Sequence, residues 1–221
     1  MTSPNWRTSS SNGAATMINV TVGDCSVDIL PVIKGLVSEY DRVKSAVNED
    51  YDAFAVSLGK EDIVAVGMRD ELKDEQVLED LDLVYLHYLG EFGEVEVPSP
   101  AFSALVDACN GLSVPVAALD MEEEVFSKVY CDTISTFELL KEGRLVKKAL
   151  KKNFDMSSPE TFVKAWDSFV NDPKGFRELC RMRERYMAGR IKVLAKTSKR
   201  MLAVIETERI NGIMPLLEKN E

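Results

Sequence analysis

The chain has 221 residues, of which 45% are hydrophobic and 29% are charged, and its formal net charge is −10. This apolar content, with only 12 glycines and 8 prolines, excludes a collagen-like, mucin-like or wholly disordered chain and predicts one globular domain with a substantial core. Because no stretch approaches the roughly 18 consecutive apolar residues that a membrane helix needs, we predict no membrane span.

The first half of the chain contains two predicted strands and two predicted helical regions. Residues 1–16 are polar, rich in serine and aperiodic, so we predict a disordered lead-in. Residues 17–22 form a short β-branched run that is typical of a buried strand, and residues 53–58 predict a second strand. Apolar residues recur at helical spacing over residues 27–47, which predicts an amphipathic helix, and an acidic helical stretch follows at about residues 60–90.

Helices are predicted to dominate the second half. Ser99 and Pro100 form a helix entry, with the serine as the N-cap and the proline at the first helical position, and Gly111 ends that helix. Residues 114–119 and 200–205 predict two further strands. The remaining helical regions are predicted at residues 121–131, 133–152, 159–171, 173–198 and 213–220.

This order of elements indicates an α/β fold. We predict a central, mostly parallel sheet flanked by helices, with a helix-rich C-terminal half, in one domain that covers residues 17–221. In open sheets of this kind, ligands bind beyond the carboxyl ends of the strands. We therefore expect a site formed by the turns at residues 23–26, 57–59, 120–121 and 206–209.

Charge is distributed unevenly along the chain. Residues 1–140 hold 8 basic and 26 acidic residues, a net −18, whereas residues 141–221 hold 19 basic and 11 acidic residues, a net +8. The two halves either face each other within one fold or pair between the subunits of a homo-oligomer. Alternatively, the basic helices form an anion-binding face, but few aromatic residues interleave with the basic ones, so nucleic acid is not an expected partner.

The basic run at residues 144–152 is amphipathic and predicts a solvated helix face; a protein partner or an anionic membrane surface is the alternative.

Cysteine and histidine usage limits the chemistry. The chain lacks a CxxC pair and an export signal, which argues against a zinc ribbon and predicts a cytoplasmic protein with buried thiols at Cys25, Cys109, Cys131 and Cys180. His87 is the only histidine. A metal site rich in histidine is therefore excluded, as is Ser-His or Cys-His catalysis without His87.

Several segments resemble motifs of one family in order and spacing. Residues 183–191 (RERYMAGRI) are similar to a helix of the form RDxxMAxxI, and residues 210–213 (INGI) stand in the place of GxGHxxGI. The first predicted strand with Gly23 resembles a GTxH turn, residues 52–58 (DAFAVSL) resemble PDxVxxEL, and residues 119–120 (LD) resemble the strand end IDR. These are motifs of the TraB/PrgY family, which is related to the Tiki proteases, and the resemblance covers about residues 17–215.

The chain departs from this family at the residues that carry its chemistry. The two motif histidines fall at Ser26 and Arg209, the glutamate falls at Ser57, and the arginine of the Asp-Arg pair falls at Met121. The resemblance implies that the histidines and the glutamate hold a divalent metal and support hydrolysis. Because these groups are replaced, we predict a catalytically inactive domain without a cofactor, which acts as a binding or regulatory protein for a small anion or a protein partner.

The residues at the predicted strand ends leave two further functions open. Asp24, Asp120, Glu206 and Glu208 would suit Mg²⁺ or Ca²⁺, and such a rebuilt site would make the chain a metal-dependent hydrolase. Arg183 and Arg209 either bind an anion or pair with Asp120, Glu184 or Glu206. The predicted crevice is formed by Asp24, Ser26, Ser57, Asp120, Arg183, Glu206 and Arg209.

Overall fold

The structure, a computed structural model, describes residues 7–9, 17–72 and 78–218. These residues form six strands: β1 (Arg7–Ser9), β2 (Met17–Val22), β3 (Cys25–Val32), β4 (Ala53–Val56), β5 (Val116–Ala118) and β6 (Arg200–Glu206). The α-helices are α1 (Ser38–Ala46), α2 (Lys60–Gly67), α3 (Asp80–Leu89), α4 (Pro100–Leu112), α5 (Glu123–Thr133), α6 (Thr136–Glu142), α7 (Leu145–Ala149), α8 (Pro159–Val170), α9 (Lys174–Ala195) and α10 (Ile210–Leu217).

The strands form one mixed sheet in the order β1-β2-β3-β6-β4-β5. Strands β3, β6, β4 and β5 run parallel to their neighbours, whereas β1 and β2 add an antiparallel edge. The predicted α/β fold, with its mostly parallel sheet and helix-rich C-terminal half, is confirmed. Arg7–Ser9 form β1, contrary to the disorder predicted for this part of the lead-in; the rest of residues 1–16 lies outside the described residues.

The predicted helix over residues 27–47 is wrong in its first part. A turn at Gly23, whose φ is +60°, reverses the chain from β2 into β3, and helix α1 begins only at Ser38. Both faces of β3 are buried, so the strand lacks alternating exposed polar residues, and its apolar positions also satisfy a helical spacing. Consequently β3, and not β2, is the first of the parallel strands.

Two of the predicted helical regions are divided. The stretch at residues 60–90 contains α2 and α3, and residues 73–77 between them lie outside the described residues. The region predicted as one helix at residues 133–152 contains α6 and α7. In α7, Leu145 and Ala149 are buried while the lysines are exposed, so the amphipathic pattern predicted here is confirmed.

Helices cover both faces of the sheet. Strand β6 alternates strictly: Ala203 and Ile205 face one hydrophobic cluster, and Leu202 and Val204 face another. The first cluster is closed by α9 and α10, and the second by α1 and α4. A third, aromatic-rich cluster around Phe162 joins α3, α7 and α8. No helix among the described residues is long and apolar enough to cross a membrane.

Ion pairs join the acidic and basic parts of the chain within the fold. Arg200 of β6 contacts Asp28 and Asp50, each at 3.2 Å, and Arg183 of α9 contacts Asp120. These ion pairs connect residues of the acidic first part with residues of the basic last part within one chain.

Candidate functional site

A cavity of about 500 Å³ lies at the carboxyl ends of the parallel strands. We call it the crevice. Four of the predicted site residues line it together: Ser57 after β4, Asp120 after β5, Glu206 at the end of β6, and Arg183 from α9. Leu58, Val66 and Phe102 are among the residues that form its apolar wall. The positional rule for open α/β sheets thus locates a real concavity with polar and apolar surfaces.

Ser57 is fixed between two strand ends. Its backbone N–H donates to the carbonyl oxygen of Val204 at 3.1 Å, which continues the β4–β6 ladder by one residue. Its Oγ accepts a hydrogen bond from the backbone N–H of Glu206 at 3.3 Å, and the residue is only 1% exposed. Ser57 therefore holds the start of the turn after β6 in position.

Asp120 and Arg183 form an ion pair in the wall of the crevice. The Asp120 Oδ2 accepts from the Arg183 Nε at 2.9 Å and also from Nη2, while its Oδ1 accepts from the backbone N–H of Met121 at 2.8 Å. The guanidinium of Arg183 also lies 6.0 Å from the ring centre of Phe126, which is suitable for a cation–π contact. The acidic and basic groups neutralise each other here, as one of the sequence-based alternatives for Arg183 predicted.

Among the described residues, two glutamates near the crevice have no ion pair of this kind. Glu206 is 9% exposed, and in the part of the chain that the structure describes its buried Oε2 has no hydrogen-bond partner; the same is true of the Oε2 of Glu208. Burial raises the pKa of both carboxyls, and that of Glu208 reaches about 8, since the nearby charge of Glu206 adds to the effect of burial. Lys34 and Arg183 oppose both shifts without cancelling them.

Arg209 does not contribute to the crevice. A 3₁₀ turn at Thr207–Arg209 follows β6, and Arg209 is buried against α8 and α9. Its Nη1 donates to the Glu184 Oε1 at 3.2 Å, and its Nη2 donates to Asp167. The prediction that Arg209 lines the crevice with Arg183 is therefore wrong, because its guanidinium is held by two carboxylates of neighbouring helices.

Asp24 and Ser26 lie at the opposite edge of the sheet. They stand at the amino end of β3, where Ser26 is paired with Arg200, the first residue of β6. Eight residues of extended β3 separate this edge from the crevice, which corresponds to about 23 Å. Their inclusion in the crevice was wrong, because the turn at Gly23 was assigned to the carboxyl end of a parallel strand.

The four carboxylates of the predicted metal site therefore cannot converge on one ion. Asp24 lines a separate cavity of about 660 Å³ beside Lys196 and Lys199, whereas Asp120 and Glu206 line the crevice. Metal–oxygen bonds of about 2.3–2.6 Å require all donors to surround one point. Across residues 7–9, 17–72 and 78–218, no group of three or more His, Cys, Asp or Glu residues is arranged to hold a metal ion. His87 is exposed on α3.

Sequence reasoning missed three polar residues of the crevice. Lys34 follows the carboxyl end of β3 and would have been found if that strand had been recognised. Asp62 accepts from the Gly59 N–H at 3.2 Å at the start of α2. Ser99 precedes α4 as predicted, but its side chain makes no capping bond, and within the described residues its buried Oγ has no partner.

Comparison of the sequence with models of protein families and with curated proteins found no match.

Proposed function

We propose that the protein is a divergent TraB/PrgY-like domain without hydrolytic activity, which binds a small ligand in the crevice and acts as a binding or regulatory protein. The observation that carries this proposal is that Ser57, Asp120, Arg183 and Glu206 line one cavity of about 500 Å³. This volume is within the range of small-molecule sites. The cavity also occupies the position at which open α/β sheets bind their ligands.

The residues around the crevice support binding rather than catalysis. Ser57, in the place of the family's glutamate, is engaged by the backbone of Glu206. Arg183 and Asp120 neutralise each other. Ser26, in the place of the family's first histidine, lies at the amino end of β3 and away from the crevice.

The alternative is a metal-dependent hydrolase that uses a rebuilt carboxylate and arginine site. Asp24 lies at the opposite edge of the sheet, and the guanidinium of Arg209 is held by carboxylates of neighbouring helices, so neither can contribute to such a site. It would have to use Asp120, Glu206 and Glu208, and Asp120 already accepts two hydrogen bonds from Arg183. This geometry is why we favour a binding function over the hydrolase.

Metal content and substitution of Ser57 distinguish the two functions. We expect elemental analysis of tag-free, undialysed protein to find far less than one divalent ion per chain. We also expect Ser57→Ala to change stability locally and nothing else. About one bound ion per chain would favour the hydrolase and point to the carboxylates at the strand ends. A peptidase or esterase activity that Ser57→Ala abolishes would refute the binding function.

We propose in addition that the protein is cytoplasmic and that its acidic and basic surfaces pair between copies in a homo-oligomer. The lysines of α7 are exposed and suit such a contact. Light scattering coupled to size exclusion, at about 50 mM and 500 mM salt, tests the oligomer. Because exposed charge pairs are screened at high salt, the expected mass falls toward 24.7 kDa as salt rises. A mass of one chain at both salt concentrations contradicts the oligomer.

A further inference from the structure

The crevice contains two buried polar atoms without a partner. The Oε2 of Glu206 and the Oγ of Ser99 are both inaccessible to solvent, and in the described part of the protein neither has a hydrogen-bond partner. Both residues line the crevice, although they are far apart in the sequence: Glu206 ends β6 and Ser99 precedes α4. A buried polar atom that remains unpaired costs about 1–3 kcal/mol, so a ligand that draws these two side chains toward the crevice and donates to them would recover that energy.

The charges of the crevice favour a cation at this point. Arg183 is neutralised by Asp120, and the other charged residues that line the crevice are Lys34, Asp62 and Glu206. The lining therefore carries a net charge of −1 when Glu206 is ionised. Glu206 lines the same space at 9% exposure, and in the described part of the chain its Oε2 has no hydrogen-bond partner. An ammonium or guanidinium group carries only hydrogen-bond donors, which is what unpaired carboxylate oxygens require.

The remaining wall of the crevice is apolar. Leu58, Val66 and Phe102 line it, and Val66 and Phe102 are themselves buried. A ligand that fits this surface therefore has a hydrocarbon body with a charged end. The cavity of about 500 Å³ is large enough for a molecule of several carbon atoms.

We propose that the crevice binds a small organic cation, an alkylammonium or alkylguanidinium, whose nitrogen donates to the Glu206 carboxylate and the Ser99 hydroxyl while its hydrocarbon part lies against Phe102 and its neighbours. This inference rests on the proposed binding function and specifies its ligand class. It replaces the small anion expected from the two arginines, because both arginines are held by internal carboxylates.

Titration calorimetry with matched probes tests the assignment on the full chain. The probes are hexylamine, hexylguanidine, 1-hexanol and hexanoate, which share one hydrocarbon body and differ in the charge of the head group. We choose pH 8.5, where the amine remains protonated and the buried carboxyls are more fully ionised than at neutral pH. We expect both cations to bind at least about tenfold more tightly than the alcohol and the carboxylate.

Two variants assign the binding to the crevice. Glu206→Gln keeps the shape of the side chain and removes its charge, so we expect at least about a tenfold loss of affinity for hexylamine. Ser99→Ala should cost about two- to tenfold, since a hydroxyl contributes a neutral hydrogen bond. Glu178→Gln is the matched control. Among the described ion pairs, Glu178 contacts Arg181 and Arg185 at the surface of α9, so this variant should bind hexylamine with unchanged affinity. Circular dichroism of each variant verifies that it is folded.

The outcomes separate this inference from the proposed function. Hexanoate binding more tightly than hexylamine, equal binding of hexanol, or full affinity in folded Glu206→Gln would overturn the cationic ligand and leave a binding crevice in place. Failure of all four probes to bind at millimolar concentration would also overturn it. A bound metal with hydrolytic activity would overturn the proposed function itself.

Discussion

Glu208 is predicted to make the stability of the protein depend on pH, and its replacement should remove that dependence. The carboxyl has a pKa of 4.5 in a model peptide and about 8 in the fold, because it is buried and lies near the charge of Glu206. Below about pH 4.5 the group is protonated in both the folded and the unfolded chain. As the pH rises toward 8, the unfolded chain releases this proton while the folded chain keeps it, so the free energy of unfolding falls.

The size of the effect follows from the difference between the two pKa values. A difference of about 3.5 units corresponds to about 5 kcal/mol at most. Because Glu208 is partly exposed, so that solvent screens its charge, we expect about 2–3 kcal/mol. Glu208→Gln has nearly the same shape and no titration, so it should be more stable than the wild type by this amount at pH 8 and about equal to it at pH 4.5.

Urea unfolding followed by circular dichroism at pH 4.5, 5.5, 6.5 and 8 measures this difference. The difference between wild type and variant reports Glu208 together with its interaction with Glu206, and it cancels the titrating groups that do not interact with Glu208. The control Glu178→Gln changes a surface glutamate and should follow the wild type at every pH. If the Glu208→Gln and wild-type curves run parallel across this range, Glu208 is not buried as a neutral acid and the reasoning is refuted.

Three further perturbations test the packing. A Cβ at Gly212 would overlap the carboxylate of Glu184, which Arg209 holds in place, so Gly212→Ala should lower the free energy of unfolding by roughly 1–3 kcal/mol. A Cβ at Gly189 in α9 would meet open space, so Gly189→Ala should be neutral or stabilise the protein by up to about 1 kcal/mol. Thermal unfolding measures both variants. Leu105 is 0% exposed, so Leu105→Ala should lower the free energy of unfolding by about 2–5 kcal/mol. Leu140 is 72% exposed, so Leu140→Ala should change it by less than about 0.5 kcal/mol. Equal losses for the two variants in urea unfolding would contradict the described core. The prediction that all four thiols are buried is wrong for Cys131, which is exposed at the surface of α5, and for Cys180, which is partly exposed. Cys131→Ser should therefore remove the fast phase of Ellman's reaction on the native chain, and persistence of that phase would contradict the burial of the other thiols.

The sheet could be predicted from the sequence where a strand is short and bounded by turns. Residues 200–205 and 53–58 were predicted as strands, and β6 and β4 occupy them within a few residues. The segment that became β3 could not be assigned by periodicity, because a strand buried on both faces and a helix can show the same apolar spacing. Pro31 within the segment was a usable signal, since proline disfavours the interior of a helix.

The error in β3 explains most of the errors in the site. The carboxyl ends of parallel strands meet at one edge of the sheet. Because β2 was taken as the first parallel strand, the prediction placed Asp24 and Ser26 at that edge and left out Lys34, which follows β3. The other three strand ends were assigned correctly, and Ser57, Asp120 and Glu206 accordingly meet in the crevice. The direction of Arg209 depends on the 3₁₀ turn that precedes α10, and a turn of three residues has no periodicity from which to predict it.

The ion pairs and hydrogen bonds of the charged side chains in and around the crevice indicate whether it still binds a ligand or has lost that function. A site that had only lost its chemistry would be expected to neutralise every buried charge, since an unpaired one destabilises the fold. The two arginines follow this expectation: Arg183 is paired with Asp120, and Arg209 with Glu184 and Asp167. Glu206 does not, because it lines the crevice and, within the described residues, its Oε2 remains buried and unpaired, at a cost of about 1–3 kcal/mol. A nonpolar residue of similar size at this position would avoid that cost, so the carboxyl group of Glu206 is best explained by a partner that enters the crevice and donates to it.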